Sequence, residues 1–126
     1  MPINRLDHVN LRTTQLSELV AWYRDVLGLH EGWRPDFGFP GAWLYAGEHA
    51  VIHLVEIDSA PAVGSEAALK LEHFAFTATD APNFEATLQR LDVDYRKNEV
   101  PSAGTVAYNI WDPDGNHIHV DFDTKG

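Results

Sequence analysis

Several features are scarce or absent from this sequence. It has no cysteine, so disulfides, thiolate metal ligands and a cysteine nucleophile are excluded. Basic residues number 9 against 19 acidic ones, and the net charge of -10 argues against binding to nucleic acid or an anionic membrane. No apolar run is long enough to span a bilayer and the start has no apolar signal core, so we expect a cytoplasmic protein.

What the sequence does contain is an internal repeat. At 126 residues it suits a single domain, 1–126, made of two modules at 1–58 and 69–126 that share a core. Each module is predicted to run strand, helix and three strands. Residues 58–68 are small, contain Pro and Gly and have no period, which is typical of a linker. The predicted strands are 3–11, 29–34, 42–46, 50–57, 69–77, 93–98, 104–111 and 116–122. One predicted helix begins after Thr14 and ends at Gly28, and the other covers 81–91.

Four histidines recur at matched positions in the two modules. His8 and His53 are 45 residues apart, and His73 and His119 are 46 residues apart. Strand alternation predicts that these four imidazoles lie on one face of the sheets, opposite an apolar face that the helices cover. Duplicated spacing of this kind indicates one shared metal site. Imidazole donors favour Zn²⁺, Ni²⁺, Co²⁺ or Fe²⁺ over Mg²⁺ or Ca²⁺.

The chain resembles the vicinal oxygen chelate superfamily, which includes glyoxalase I, extradiol dioxygenases and the fosfomycin- and bleomycin-resistance proteins. The most typical segments are 22–29 (WYRDVLGL) and 112–119 (DPDGNHIH), and the resemblance covers essentially the whole chain. It implies an α+β fold in which two tandem βαβββ modules form an eight-stranded, partly open, barrel-like sheet with a concave metal and ligand cleft. In its metal-binding members the ligands occupy the positions of His8, His53, His73 and His119.

The ligand set departs from those of the known members. Glyoxalase I-like enzymes usually have Glu at the positions of His53 and His119, where one carboxylate also serves as the base, and dioxygenases usually have Glu at the position of His119. The catalytic base is therefore unassigned. Asp121 shares the face of His119 and is a candidate base, a residue that orients the ligand, or a solvated acid at the strand end.

Other residues are candidates for contact with a substrate. Asn10 and Arg12 share the predicted face of His8, and either could orient an anionic substrate or form a salt bridge at the rim. Trp43 and Tyr108 belong to aromatic clusters that suit a pocket wall, the core or a dimer interface. His117 shares the face of His119 but is expected at the strand end beside the turn, while His30 and His49 are expected to be exposed.

The function that these features favour is a metal-dependent, glyoxalase-like lyase or isomerase. It would bind a small substrate through vicinal oxygens and stabilise an oxyanion or enediolate. An Fe²⁺-dependent extradiol-type dioxygenase is one alternative, and a non-catalytic binding protein of the bleomycin-resistance type is another. A homodimer is expected because four-stranded modules leave edges that pairing would cover.

Overall fold

The computed structural model describes residues 2–58 and 71–124, which form two compact units. Each unit contains one helix and one four-stranded mixed sheet, so the α+β class and the tandem βαβββ order are confirmed. The division into modules at 1–58 and 69–126 within one domain stays a prediction, and the predicted linker lies, apart from Asp58, outside the described residues.

The first unit follows the predicted order. Its elements are β1 (Val9–Thr13), α1 (Leu16–Leu27), β2 (His30–Gly32), β3 (Gly41–Ala46) and β4 (His49–Glu56). The sheet has the order β1-β4-β3-β2, in which β1 and β4 are parallel and the other pairs are antiparallel. Residue Gly28 ends α1 in the left-handed conformation, and its N–H bonds the carbonyl of Arg24, as glycine readily does at a helix end.

The second unit repeats this topology. Its elements are β5 (Phe74–Ala78), α2 (Ala81–Arg90), β6 (Arg96–Val100), β7 (Thr105–Trp111) and β8 (His117–Asp123). The sheet order is β5-β8-β7-β6, again with only the first pair parallel. The side chain of Asp80 caps α2 by accepting a hydrogen bond from the N–H of Asn83 at 3.2 Å.

Residues Asp112 to Gly115 form the turn between β7 and β8. The N–H of Gly115 bonds the carbonyl of Asp112 at 2.9 Å, and Gly115 has a positive φ of 85°. The Asp112 carboxylate also accepts hydrogen bonds from the N–H groups of Asp114 and Asn116. This turn brings β8 back beside β7 and so fixes where the histidines of β8 lie.

Each sheet buries one face, as the alternation predicted. In the first unit Leu19 and Tyr23 of α1 are fully buried, as are Leu44, Ile52 and Leu54 of the sheet. The corresponding residues of the second unit are Leu88, Tyr108, Ile110, Ile118, Val120 and Phe122. Burial of this apolar surface is the main contribution to the stability of each unit.

Several predicted strand boundaries differ from the observed ones, and two of them concern a candidate ligand. The strands predicted at 3–11 and 69–77 are observed as Val9–Thr13 and Phe74–Ala78, so that His8 and His73 lie immediately before them. The reason is that these strands pair only with β4 and β8, whose described ladders begin at Val9 and Phe74. Alternation along the chain reveals which residues suit a strand, but the partner decides where pairing begins.

Candidate metal centre

The first unit brings His8 and His53 together. Their rings are stacked with centroids 3.7 Å apart and planes inclined by 10°. The Nδ1 atom of His8 lies 2.7 Å from the carboxylate of the preceding residue, Asp7, which leaves Nε2 of His8 available to a ligand. The ring of Trp43 stacks on His53 with centroids 4.0 Å apart, because the two residues are paired in the β3–β4 ladder.

The second unit brings His73 and His119 together in the same way. Their rings are stacked with centroids 3.9 Å apart and planes inclined by 8°. The Nδ1 atom of His73 makes a short hydrogen bond with the carboxylate of the preceding residue, Glu72. A metal-binding histidine usually has its second ring nitrogen held by a carboxylate or carbonyl, so Asp7 and Glu72 occupy the expected supporting positions.

A third histidine, His117, joins the pair in the second unit. One ring nitrogen from each of His73, His117 and His119 lies within 4.8 Å of the others, and these three form a candidate metal cluster among the described residues. Glu72 also reaches His117, whose Nδ1 lies 3.0 Å from its carboxylate. The sequence predicts His117 only as a residue at the strand end, although its position two residues before His119 is the signal that could identify it as a ligand.

The electrostatic environment favours the neutral, metal-binding form of the two strand histidines. Burial, followed by the nearby His8, lowers the pKa of His53. Burial likewise lowers the pKa of His119, with further contributions from His73 and His117. A neutral imidazole has a lone pair to donate, so a lowered pKa keeps these rings competent to bind a cation at neutral pH.

Hydrogen bonds from the histidines favour the ionised form of the two supporting carboxylates, Asp7 and Glu72. The hydrogen bond from His8 lowers the pKa of Asp7, and the hydrogen bonds from His73 and His117 lower the pKa of Glu72. An anion at these positions fixes the orientation of the rings and partly offsets the charge of a bound cation.

The residues predicted to contact a substrate divide between the two faces. Asn10 is paired with His53 and Arg12 with Val55, so both share the face of the histidine pair, and both are exposed. Tyr108 does not lie with the histidines. It is buried on the helix-covered face, where its hydroxyl donates to Glu85 of α2 at 2.9 Å.

Asp121 lies on the face of His119 and is half-buried. Its Oδ1 atom is buried and has no hydrogen-bond partner within the described part of the chain. A buried carboxylate oxygen in this condition is costly, and it suits a role in binding a proton, a water molecule or an ion.

An aromatic cluster surrounds Trp43 in the first unit. Trp33 packs edge-on against Trp43, and Phe37 stacks with Phe39. The ring centroids of Phe37 and Trp43 are 6.2 Å apart. Trp33, Phe37 and Phe39 are all exposed, and Trp33 is 72% accessible. An exposed group of large apolar rings beside His53 is a surface suited to a flat or apolar ligand.

Two features lie apart from the stacked histidines of the candidate metal centre. A cavity of about 630 Å³ in the second unit is lined by residues that include Asp80, Glu85, Lys97 and Tyr108, and no histidine lines it. His30 and His49 are exposed as expected; His30 stacks on Tyr45, and His49 lies 3.3 Å from the guanidinium of Arg5.

Comparison with known proteins places this geometry in context. Residues 5–120 match the family described as the Glyoxalase/Bleomycin resistance protein/Dioxygenase superfamily. No curated protein matches the sequence significantly. No helix among the described residues is both long and apolar enough to cross a membrane.

The solved structures with the same fold include three proteins of different named function. A glyoxylase/bleomycin resistance protein/dioxygenase domain from Frankia sp. EAN1pec is 21% identical with a TM-score of 0.79, covering 99% of this chain and 96% of that one. A lactoylglutathione lyase from Agrobacterium tumefaciens is 21% identical with a TM-score of 0.71, covering 99% and 98%. A fosfomycin resistance protein from Listeria monocytogenes is 12% identical with a TM-score of 0.70, covering 96% and 94%.

Proposed function

The chain belongs to the Glyoxalase/Bleomycin resistance protein/Dioxygenase superfamily, and on that premise we propose that it is a metal-dependent, glyoxalase-like lyase or isomerase. Its ligands for one divalent cation are His8, His53, His73 and His119. Its substrate is a small molecule that presents two neighbouring oxygens. One of the structural neighbours is a lactoylglutathione lyase, which makes a thioester of a hydroxy acid a reasonable first probe.

The observation that carries this proposal is the same arrangement in both units. In each, an imidazole next to a strand is held at Nδ1 by the preceding carboxylate and lies parallel to an imidazole on the neighbouring strand. A hydrogen bond at Nδ1 fixes the tautomer and leaves Nε2 as the donor. A histidine retained only for packing would need neither the carboxylate nor the parallel partner.

The donor set fits a transition metal. Uncharged imidazoles suit Zn²⁺, Ni²⁺, Co²⁺ or Fe²⁺, and the lowered pKa values of His53 and His119 keep the lone pairs free. A divalent cation bound there would polarise the substrate oxygens and stabilise negative charge that develops on them.

The remaining roles belong to side chains on the same faces. Arg12 and Asn10 can bind and orient an anionic substrate beside His53, and Trp43 can pack against its apolar part. We propose Asp121 as the proton acceptor, because its Oδ1 atom is buried and unpaired within the described residues. Tyr108 has no such role, since its hydroxyl is bonded to Glu85 on the other face.

Metal analysis of protein purified without a histidine tag is the decisive experiment. We expect about one divalent ion per site, a higher melting temperature when metal is returned to chelator-stripped protein, and conversion of lactoylglutathione or a related thioester without oxygen consumption. Bound iron with oxygen uptake on a catechol would instead support the dioxygenase alternative. Unchanged melting temperature with every candidate metal would reject both metalloenzymes.

A second candidate function is sequestration of a small molecule without catalysis. The exposed cluster of Trp33, Phe37 and Phe39 beside Trp43 favours it, because a pure binding protein needs apolar contact area more than a cation. Tight binding of an aromatic ligand by chelator-treated protein, abolished by Trp43→Ala, would support this function over the enzyme.

Two further predictions accompany the proposal. The chain is expected to form a homodimer, which sedimentation of the full-length protein would test. It is also expected in the cytoplasm, which cell fractionation would test.

A further inference from the structure

His117 is held by two polar partners in the second unit. Its Nδ1 lies 3.0 Å from Glu72 and its Nε2 lies 3.0 Å from the amide oxygen of Asn109. The amide of Asn109 is oriented by its own hydrogen bond to the carbonyl of Arg96, at 3.0 Å. The indole of Trp111 stacks on the imidazole with centroids 4.9 Å apart. A ring supported on so many sides is positioned more firmly than an ordinary residue at a strand end.

Glu72 orients two imidazoles at once. One carboxylate oxygen bonds Nδ1 of His73 and the other bonds Nδ1 of His117. With Nδ1 of both rings held in this way, Nε2 is the atom of each ring that would bind a cation, and His117 would exchange its Nε2 hydrogen bond to Asn109 for the ion. Among the described residues of the first unit no carboxylate holds two imidazoles. Asp7 contacts His8, and Val51 stands at the ladder position of His117.

We infer that the second unit binds the divalent cation by itself, through His73, His117 and His119, with Glu72 as the common support of the first two rings. The inference deepens the proposed function and rests on its metal. It makes His117 a third ligand, and it means that the second unit holds the ion without His8 and His53. Three imidazoles with further positions left open are the arrangement used by catalytic zinc sites.

The distances in the cluster are compatible with this assignment. Imidazole nitrogens lie about 2.0 to 2.1 Å from Zn²⁺, so two of them on one ion are at most about 4.2 Å apart. The three nitrogens lie within 4.8 Å of one another, and side-chain rotation would have to bring them to about 3.4 Å, the separation of two donors on a tetrahedral ion. His73 is the exposed member, whereas His117 and His119 are half-buried.

The competing role for His117 is support without coordination. In that case His117 only links Asn109 to Glu72 through its two ring nitrogens, and it orients His73 through Glu72. Removal of such an outer partner usually costs about 10-fold to 100-fold in metal affinity, and less where a second partner remains. The two roles therefore differ in magnitude and in the number of imidazoles attached to the ion.

The test uses Co²⁺ as the probe and the full chain in four forms. They are the wild type, the double variant His8→Ala/His53→Ala, the same double variant with His117→Ala, and the control His49→Ala, which removes an exposed histidine of the first unit. Stoichiometry and affinity come from equilibrium dialysis. Hyperfine-shifted imidazole N–H signals in proton NMR count the histidines bound to the ion. Far-ultraviolet circular dichroism checks folding, with His117→Gln as a second variant should His117→Ala unfold.

We expect the double variant to retain one Co²⁺ per chain with three imidazole N–H signals. Adding His117→Ala should lower the affinity by more than the about 100-fold of an outer partner and leave two signals. His49→Ala should behave as the wild type. Loss of Co²⁺ from the double variant alone, or unchanged affinity and signals on losing His117, would overturn the inference while leaving the proposed four-histidine site intact. A wild type that binds no Co²⁺ would overturn both.

Discussion

The two halves of this protein share a topology and differ in the side chains that one face of each sheet presents. Both place an acid and a histidine immediately before the first strand, and both stack that histidine on another in the fourth strand. They diverge where β8 has His117 and β4 has Val51, and where β7 has Asn109 and β3 has Trp43. The same scaffold thus presents a polar, ligand-rich face in one half and an aromatic face in the other.

The helix-covered faces differ as well. Tyr108 of β7 corresponds by register to Ala42 of β3, and its hydroxyl bonds Glu85 of α2. Glu85 also accepts a hydrogen bond from Tyr95 at 2.7 Å and pairs with Lys97. The second half therefore carries a charged network beside its core, whereas Ala42 contributes only apolar packing. A repeated fold tolerates such differences because each sheet face is specified by its own side chains.

The largest difference between the halves should appear in metal affinity. We expect His119→Ala to weaken Co²⁺ binding by more than about 100-fold, above the range of an outer partner, because it removes one of three clustered imidazoles. His53→Ala should reduce the Co²⁺ affinity clearly less, since it removes one imidazole of the His8–His53 pair in the first unit. Competition titration against a coloured chelator measures both. Equal losses would mean that the halves contribute alike.

The supporting carboxylates should show the same asymmetry on a smaller scale. Glu72→Gln is expected to weaken binding by about 10-fold to 100-fold, because one side chain holds the rings of both His73 and His117. Asp7→Asn should cost less, because Asp7 holds only His8. The same titration applies, with the exposed Glu99→Gln as the matched control. A greater loss for Asp7→Asn would contradict this ranking.

A third comparison concerns close packing of the sheets. Gly41 of β3 corresponds by register to Ala107 of β7. A Cβ at Gly41 would lie 2.3 Å from the backbone oxygen of Leu54, so Gly41→Ala is expected to cost about 1 to 3 kcal/mol in unfolding free energy. The reverse change, Ala107→Gly, should cost only about 0.5 to 1 kcal/mol. Urea unfolding measures each, and a harmless Gly41→Ala would contradict the packing argument.

The smallest effect is expected from the charged network of the second half. Hydrogen bonds from Tyr95 and Tyr108 lower the pKa of Glu85 below its ordinary value of 4.5. A lowered pKa means that the folded state favours the carboxylate, so this contribution is complete well above pH 4.5 and is lost as the pH falls through the folded value.

Glu85→Gln tests this network directly. We expect it to lower the unfolding free energy by about 1 kcal/mol at neutral pH, because bonds to a charged acceptor exceed those to a neutral one. The difference from the wild type should shrink in acid. Urea unfolding at several pH values measures it, with Glu18→Gln on the exposed side of α1 as control. A difference that does not change with pH would show that the charge of Glu85 is not involved.

Much of the fold follows from local sequence signals. The spacing of Leu19, Tyr23 and Val26 predicted α1, and Gly28 marked its end because a left-handed residue there needs no long-range partner. The turn at Asp112 to Gly115 was predictable for the same reason. The start of β1 and β5 was not, because the limit of a strand depends on a partner far away in the sequence.

The candidate site shows the same division. The matched spacing of the four histidines, together with strand alternation, predicted that they share one face and one metal site. Each unit stacks one pair of these rings, and the shared site stays a prediction. The role of His117 escaped because it depends on Glu72 reaching across from the segment before β5. The position of Tyr108 was open to the sequence, because it lies two residues from both Val106 and Ile110 and alternation places all three on the apolar face.

The sequence by itself determined the repeated strand-helix-strand order and the residue types on each face, because helix periodicity, strand alternation and turn chemistry act over a few neighbours. Only the tertiary structure decided which rings stack, which carboxylates hold them and that three imidazoles gather in the second half. Those contacts join residues about 45 positions apart, as Glu72 and His117 are, and their geometry is set by strand pairing and side-chain packing rather than by local preference.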